Sequence, residues 1–185
     1  MSAWLRTFVL LLTSAMLAGC FTGNGSLYGD ATPLQPFKSG AVMTRDRDGK
    51  LQHFTLRRES AGVYRFTISD PGDDFGEGYL VRFFPLKDAP SGTMAFEALE
   101  LCKPRTACQP PTPTTQRLYG LARRTARGVA VTSPDCPKDS PVAKLKKVTS
   151  DNYGTCTFSD RDVLESALTM RAHTGWKPDV VYSYY

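Results

Sequence analysis

Histidine is scarce in this chain, with His53 and His173 the only two among 185 residues. Neither lies in a motif that would pair it with a serine or cysteine nucleophile. The G-x-S-x-G, H-E-x-x-H and G-x-G-x-x-G patterns of hydrolases, zinc proteases and dinucleotide-binding proteins are absent as well. The sequence therefore predicts a protein that is not an enzyme and that carries no cofactor.

The chain also lacks a long run of one charge, although its formal net charge is +5. The densest basic spots are Arg123-Arg124 and the segment Lys144–Lys147, which we interpret as solvated faces rather than a nucleic-acid surface. The acidic stretch Asp70–Gly78 departs from the EF-hand spacing, and its Gly and Asp residues are typical of an ordinary turn. No metal site and no nucleic-acid partner are therefore expected.

The N-terminal apolar stretch is shorter than the roughly 20 residues that a helix needs to cross a bilayer. It runs from Phe8 to Ala18 and follows a short segment that carries a single charge, Arg6. Small residues then lead to Cys20. This order of a charged start, an apolar middle and a small-residue end predicts an export signal over residues 1–19.

The end of that signal, Leu17-Ala18-Gly19-Cys20, resembles the lipobox of bacterial lipoproteins. The resemblance implies that Cys20 becomes the first residue of the mature protein and carries a diacylglycerol, with palmitate-type acyl chains. Several chains on one residue hold a protein stably in a membrane, whereas a single chain is marginal. By the family's sorting rule, Phe21 in place of an aspartate implies the outer membrane. The resemblance therefore implies a lipid-anchored outer-membrane protein that faces the periplasm.

Once Cys20 is assigned to lipid, four of the five cysteines remain, an even number in an exported chain. Two disulfides are therefore expected, with three connectivities open. We favour the pairs Cys102–Cys108 and Cys136–Cys156, because each closes the shorter loop between sequence neighbours. Zinc is the weaker alternative, since the spacing contains no C-x2-C knuckle.

Beyond about residue 40 the chain alternates between short extended runs and turns. The clearest strand is Val63–Ser69, in which Tyr64 and Phe66 share one face. Asp48-Gly49 is a strong hairpin signal. Met94–Cys102 fits either a strand or a short helix, and we favour a strand because it alternates and follows a hairpin-like turn.

One amphipathic helix is predicted late in the chain. Ser159 is the expected N-cap, and Asp162 completes an S-x-x-D capping box. Gly175 is expected to end the helix. The residues that form its apolar stripe are Val163, Leu164, Ala167, Leu168 and Met170.

Roughly eight strands in hairpin order and one C-terminal helix predict a mainly β fold with a minor α component. The strands would form an antiparallel meander, a curled sheet or a small barrel, with the helix on an end or a flank. The order of elements resembles that of lipocalin-like barrels, although the Gly-x-Trp of that family is absent. Residues 20–40 are rich in Gly, Asn, Ser and Pro and are expected to be a flexible lipidated tether, and residues 41–185 a single domain.

These features favour a non-catalytic lipoprotein that binds an envelope protein partner or supports the envelope. One alternative is a barrel that carries an apolar ligand. The residues expected to line its pocket are Tyr64, Phe66, Phe83 and Phe96. A second alternative is an envelope hydrolase, which would need two paired acids or a nucleophile in contact with a histidine.

Overall fold

The computed structural model of the protein describes residues 20–45, 51–68, 78–101, 112 and 114–184. Within these ranges the chain forms eleven strands, one α-helix and one 3-10 turn. The first six strands are β1 (Phe21–Asn24), β2 (Gly40–Arg45), β3 (Leu51–Ser60), β4 (Val63–Ile68), β5 (Gly78–Pro85) and β6 (Thr93–Leu101). The later elements are β7 (Gln116–Thr125), β8 (Gly128–Thr132), the 3-10 turn (Val142–Lys144), β9 (Val148–Ser150), β10 (Cys156–Phe158), α1 (Arg161–His173) and β11 (Val180–Tyr184).

Eight of these strands close into a barrel. Their order around the barrel is β2, β3, β4, β5, β6, β7, β8 and β11, and β11 pairs back to β2. Every neighbouring pair in the circle is antiparallel. The mainly β fold predicted from the sequence is therefore confirmed, and of the three predicted arrangements the closed barrel is the one that forms. β6 confirms the strand favoured for the ambiguous segment that follows residue 93.

Three short strands extend the sheet beside the barrel. β1 pairs antiparallel with the first half of β7, and the second half of β7 pairs with β8. β10 runs parallel to β1, and β9 pairs antiparallel with β10. Because β7 is ten residues long, it can serve both the barrel and this extension.

The helix α1 packs on a flank of the barrel, where Leu164, Ala167 and Leu168 are fully buried. Its N-cap is Asp160, whose carboxylate accepts hydrogen bonds from the amides of the next turn, so the predicted cap at Ser159 was wrong by one residue. Serine and aspartate are both favourable N-cap residues, so the sequence alone did not distinguish Ser159 from Asp160. No helix in the described part of the chain is long and apolar enough to span a bilayer.

The flexible tether predicted for residues 20–40 is contradicted by the structure. Phe21 is 1% exposed within β1, and Tyr28 and Phe37 are buried as well. The glycines that favoured a linker form turns instead, since Gly25 and Gly29 have positive φ angles. Aromatic residues between those turns supply enough apolar surface to hold the segment on the barrel.

The segment of residues 33–39, here called the strap, crosses one end of the barrel and inserts Phe37 into it. The Tyr64 hydroxyl donates a hydrogen bond to the Phe37 carbonyl at 2.9 Å and accepts one from the Phe37 amide at 3.3 Å. Leu34 forms an isolated bridge to Phe83 on β5. One buried tyrosine thus satisfies both backbone groups of the residue that closes the barrel.

Replacing Tyr64 with phenylalanine is expected to lower the free energy of unfolding by about 1–3 kcal/mol, because both Phe37 backbone groups then lose a buried partner. Urea denaturation followed by tryptophan fluorescence measures the loss. Tyr153→Phe is the matched control, since Tyr153 is 79% exposed. Equal unfolding midpoints for the two variants would mean that Tyr64 does not hold the strap.

Candidate binding site

The four aromatic residues predicted to line a ligand pocket lie inside the barrel and pack against one another or their neighbours. They are Tyr64, Phe66, Phe83 and Phe96. The Phe37 ring lies 4.9 Å from that of Phe83, and the Tyr182 ring lies 4.7 Å from that of Phe66. Tyr64 is 0% exposed and Phe83 is 4% exposed. Phe66 and Phe96 are half-buried. At Tyr64 and Phe83 the barrel interior is therefore a packed core.

One of the two predicted disulfides falls within the described residues and is present. Cys136, which follows β8, is bonded to Cys156 at the start of β10, with their Cα atoms 5.6 Å apart. Both half-cystines are fully buried. The other predicted pair, Cys102–Cys108, lies outside the described residues.

Cys20, the predicted lipidation site, lies directly before β1 and is 4% exposed. Its carbonyl accepts a hydrogen bond from the Cys156 amide at 3.0 Å. Burial raises the pKa of the Cys20 thiol above its ordinary value. In this conformation the side chain has no room for an attached lipid.

The histidines lie in different parts of the fold. His173, at the end of α1, has its Nε2 atom 2.6 Å from the Asp88 carbonyl oxygen. His53 lies on β3 opposite Met43 of β2. The acidic residues considered as calcium ligands lie outside the described residues: Asp70, Asp73, Asp74 and Glu77.

A cleft at the strap end of the barrel is the feature that the sequence did not reveal. Its volume is about 460 Å³. The residues that line it are Gln35, Pro36, Phe37, Lys38, Ser39, Arg58 and Arg124. A smaller cavity of about 180 Å³ adjoins it and shares Pro36, Phe37, Lys38 and Arg124. The cations come from the strap, from β3 and from β7, so closure of the barrel brings them together.

Hydrogen bonds on both sides of the cleft hold the strap in place. The Arg58 guanidinium donates to Oε1 of Gln35 at 2.9 Å, and the Arg58 amide donates to Oγ of Ser39 at 2.9 Å. On the other side, the Tyr184 hydroxyl donates to the Lys38 carbonyl at 2.8 Å. These hydrogen bonds fix the backbone of the strap and the Arg58 side chain.

The cleft lining contains three cations and no carboxylate. The carboxylate nearest in sequence, Glu59, is engaged by Arg57 at 2.9 Å and by Arg65 at 2.5 Å. Hydrogen bonds from Arg65 and then Arg57 lower the pKa of Glu59 to about 2, so this carboxylate stays ionised and paired with those two arginines. The cleft, called the basic cleft below, is thus arranged to attract an anion.

A second polar group, the Glu97 cluster, lies on the outer wall of the barrel and consists of Glu97, Arg82, Ser26 and Tyr119. Glu97 is 5% exposed and pairs with Nη2 of Arg82 at 2.7 Å. The Ser26 hydroxyl donates to its other carboxylate oxygen at 2.7 Å, and the Tyr119 hydroxyl lies 3.2 Å from that oxygen. Burial and then the Glu97 charge raise the pKa of Tyr119, which keeps its hydroxyl protonated.

The Glu97 cluster fixes the segment that follows β1. The Tyr119 hydroxyl donates to the Gly25 carbonyl at 2.9 Å and accepts from the Leu27 amide at 2.9 Å. Beside it, the Tyr28 ring stacks on Phe84 at a centroid distance of 3.9 Å. Since these polar groups are engaged with one another, the cluster stabilises the fold and leaves the basic cleft as the candidate binding site.

Comparison of the chain with protein-family models, with curated proteins and with solved structures finds no match. Function must therefore be argued from the residues themselves. Three features bear on function: the lipobox-like segment, the closed barrel and the basic cleft.

Proposed function

We propose that the protein is an outer-membrane-anchored lipoprotein, facing the periplasm, whose barrel has a non-catalytic binding role. The observation that carries the anchor is the segment Leu17-Ala18-Gly19-Cys20, which resembles a lipobox and follows an apolar, export-type stretch. The Cys136–Cys156 disulfide supports an oxidising compartment such as the periplasm.

Binding is assigned to the basic cleft rather than to the barrel interior. A closed β-barrel is compatible with either a binding or a carrier role. The interior rings pack against one another, however, with Tyr64 and Phe83 5.6 Å apart at their centroids. An apolar ligand would have to displace that core, whereas an anion at the cleft would meet the three cations that line it.

Lipidation has a structural consequence at Cys20. Because its side chain is 4% exposed, acyl chains on Sγ require the residue to turn outward from its present position. Phe21 can stay in β1, where it pairs with Tyr119 of β7 and Cys156 of β10. The lipid would then hold the barrel close to the bilayer surface, since the fold begins at the next residue.

Anchoring is tested with the Cys20→Ala variant expressed in a Gram-negative host. We expect the wild-type protein to sediment with membranes and to incorporate labelled palmitate, and the variant to do neither, because the variant lacks the thiol that would carry the diacylglycerol. Formation of the Cys136–Cys156 bridge in the variant, measured by non-reducing peptide mapping, is the control for export and folding. A membrane-bound, palmitate-labelled variant would refute the anchor.

A further inference from the structure

We propose that the basic cleft is a binding site for a phosphomonoester group, carried by a lipid headgroup or by a small soluble molecule. The inference rests on the binding role proposed above and not on the lipid anchor. It assigns a ligand class to the cleft between the strap, β3 and β7, which is formed by residues far apart in the sequence.

Two cations at the cleft have hydrogen-bond donors without an acceptor in the part of the chain that the structure describes. The Lys38 ammonium and the Arg124 guanidinium are both exposed, and neither makes a side-chain hydrogen bond or ion pair within the described residues. The Thr125 hydroxyl is buried without a hydrogen-bond partner among the described residues, but it borders the adjoining cavity and not the cleft itself. An anion in the cleft would give Lys38 and Arg124 an acceptor.

The charge of the cleft matches that of a phosphomonoester. A phosphomonoester carries about −1.5 to −2 charges near neutral pH and presents three acceptor oxygens. Three cations surround the cleft without a carboxylate among them, which suits that charge better than the single charge and two oxygens of a carboxylate. Two of the cations are arginines, whose planar forks match phosphate oxygens in pairs.

The backbone around the cleft is held in place by hydrogen bonds. Arg58 is oriented by Gln35, and the strap that carries Lys38 is held by Tyr64 from inside the barrel and by Tyr184 from its rim. Little backbone therefore becomes ordered when a ligand binds, and the conformational entropy lost on binding is small.

The test is calorimetric titration of the detergent-solubilised full chain. One arm uses glycerol 3-phosphate, and the other uses micelles that contain phosphatidic acid, with phosphatidylcholine micelles as the reference. The variant Lys38→Gln/Arg124→Gln removes two cations from the cleft. Its matched control, Lys144→Gln/Lys146→Gln, removes two exposed cations that do not line the cleft and so makes the same change in net charge.

We expect the cleft variant to bind at least about tenfold more weakly than wild type, equivalent to about 1.4 kcal/mol, and the control variant to bind like wild type. If the cleft variant loses affinity for phosphatidic acid micelles alone, the ligand is a lipid headgroup. If it loses affinity for glycerol 3-phosphate, the ligand is a small soluble phosphate. Equal weakening in both variants, no binding of either probe, or an equal response to phosphatidylcholine would overturn the proposal. Palmitate labelling of Cys20 is independent of every one of these outcomes, so the anchor and the ligand class can fail separately.

Discussion

Replacing Glu97 with alanine is expected to lower the free energy of unfolding by about 3 kcal/mol, the low end of the range for breaking a buried ion pair. The carboxylate is 5% exposed and holds Arg82 at 2.7 Å. Without it, the Arg82 guanidinium loses its counter-charge and the Ser26 hydroxyl loses its acceptor. The low end applies because the Arg82 side chain keeps 22% exposure, and water can reach part of its charge.

Guanidinium chloride unfolding of the wild type and of Glu97→Ala measures this loss of stability. Glu100→Ala is the matched control, since Glu100 lies on the same strand, is exposed and makes no ion pair within the described residues. We expect that control to stay within about 0.5 kcal/mol of wild type. If both variants lose the same stability, the Glu97 cluster is not what stabilises the N-terminal segment.

Amide hydrogen exchange shows which part of the structure loses stability in Glu97→Ala. The Leu27 amide donates to the Tyr119 hydroxyl, whose position depends on Glu97. We therefore expect the Leu27 amide to exchange faster in Glu97→Ala under native conditions, because the segment after β1 opens locally. Protection equal to that of wild type would place the lost stability elsewhere in the barrel.

Removing the disulfide in Cys136→Ala/Cys156→Ala is expected to lower the free energy of unfolding by about 3 kcal/mol, the amount predicted for a loop of this size. The bridge closes a loop with a sequence separation of 20 and joins the chain after β8 to the outer sheet extension. Its loss allows the unfolded chain more conformations, and it leaves small cavities where two fully buried sulfur atoms were packed.

The stability that the disulfide contributes is measured by denaturing the wild type and the double variant with and without a reductant. We expect the reductant to lower the unfolding midpoint of the wild type, and to have a smaller effect on the double variant, because that variant has already lost this bridge. A reductant that shifts both proteins equally would assign the stabilisation to other cysteines. A double variant as stable as wild type would show that the bridge is dispensable.

The barrel could be predicted from the sequence because its strands alternate. Tyr64 and Phe66 share one face of β4, and that face lies inside the barrel with the rings of Phe37 and Tyr182. The Cys136–Cys156 pairing was also predictable, since these cysteines are sequence neighbours and a short loop closes readily. In each case a local pattern favoured the result, although it left the closure of the sheet and the other cysteine connectivities open.

The tether prediction failed because the amino-acid composition of a segment does not show which of its residues pack into the core. The glycines and asparagine after Phe21 are what a linker contains, yet Phe21, Tyr28 and Phe37 supply buried anchors at intervals between them. The strands β1 and β9 are only four and three residues long, too short to show a period. The strands that pair with β1, which are β7 and β10, also lie far away from it in the sequence.

The basic cleft could not be predicted for a related reason. Its cations, Lys38, Arg58 and Arg124, come from three separate elements and meet only when the barrel closes. The one local signal was the Arg123-Arg124 pair, which resembles any solvated basic face. In the structure the two arginines separate, since Arg123 stacks on the Trp176 ring at 5.2 Å while Arg124 lines the cleft.

Mass spectrometry of the N-terminal peptide of protein extracted from membranes decides whether the protein is a lipoprotein. We expect this peptide to begin at Cys20 and to carry a diacylglycerol on Sγ and an acyl group on its amine. A peptide that begins at another residue, or an unmodified Cys20 thiol, would contradict the lipoprotein assignment.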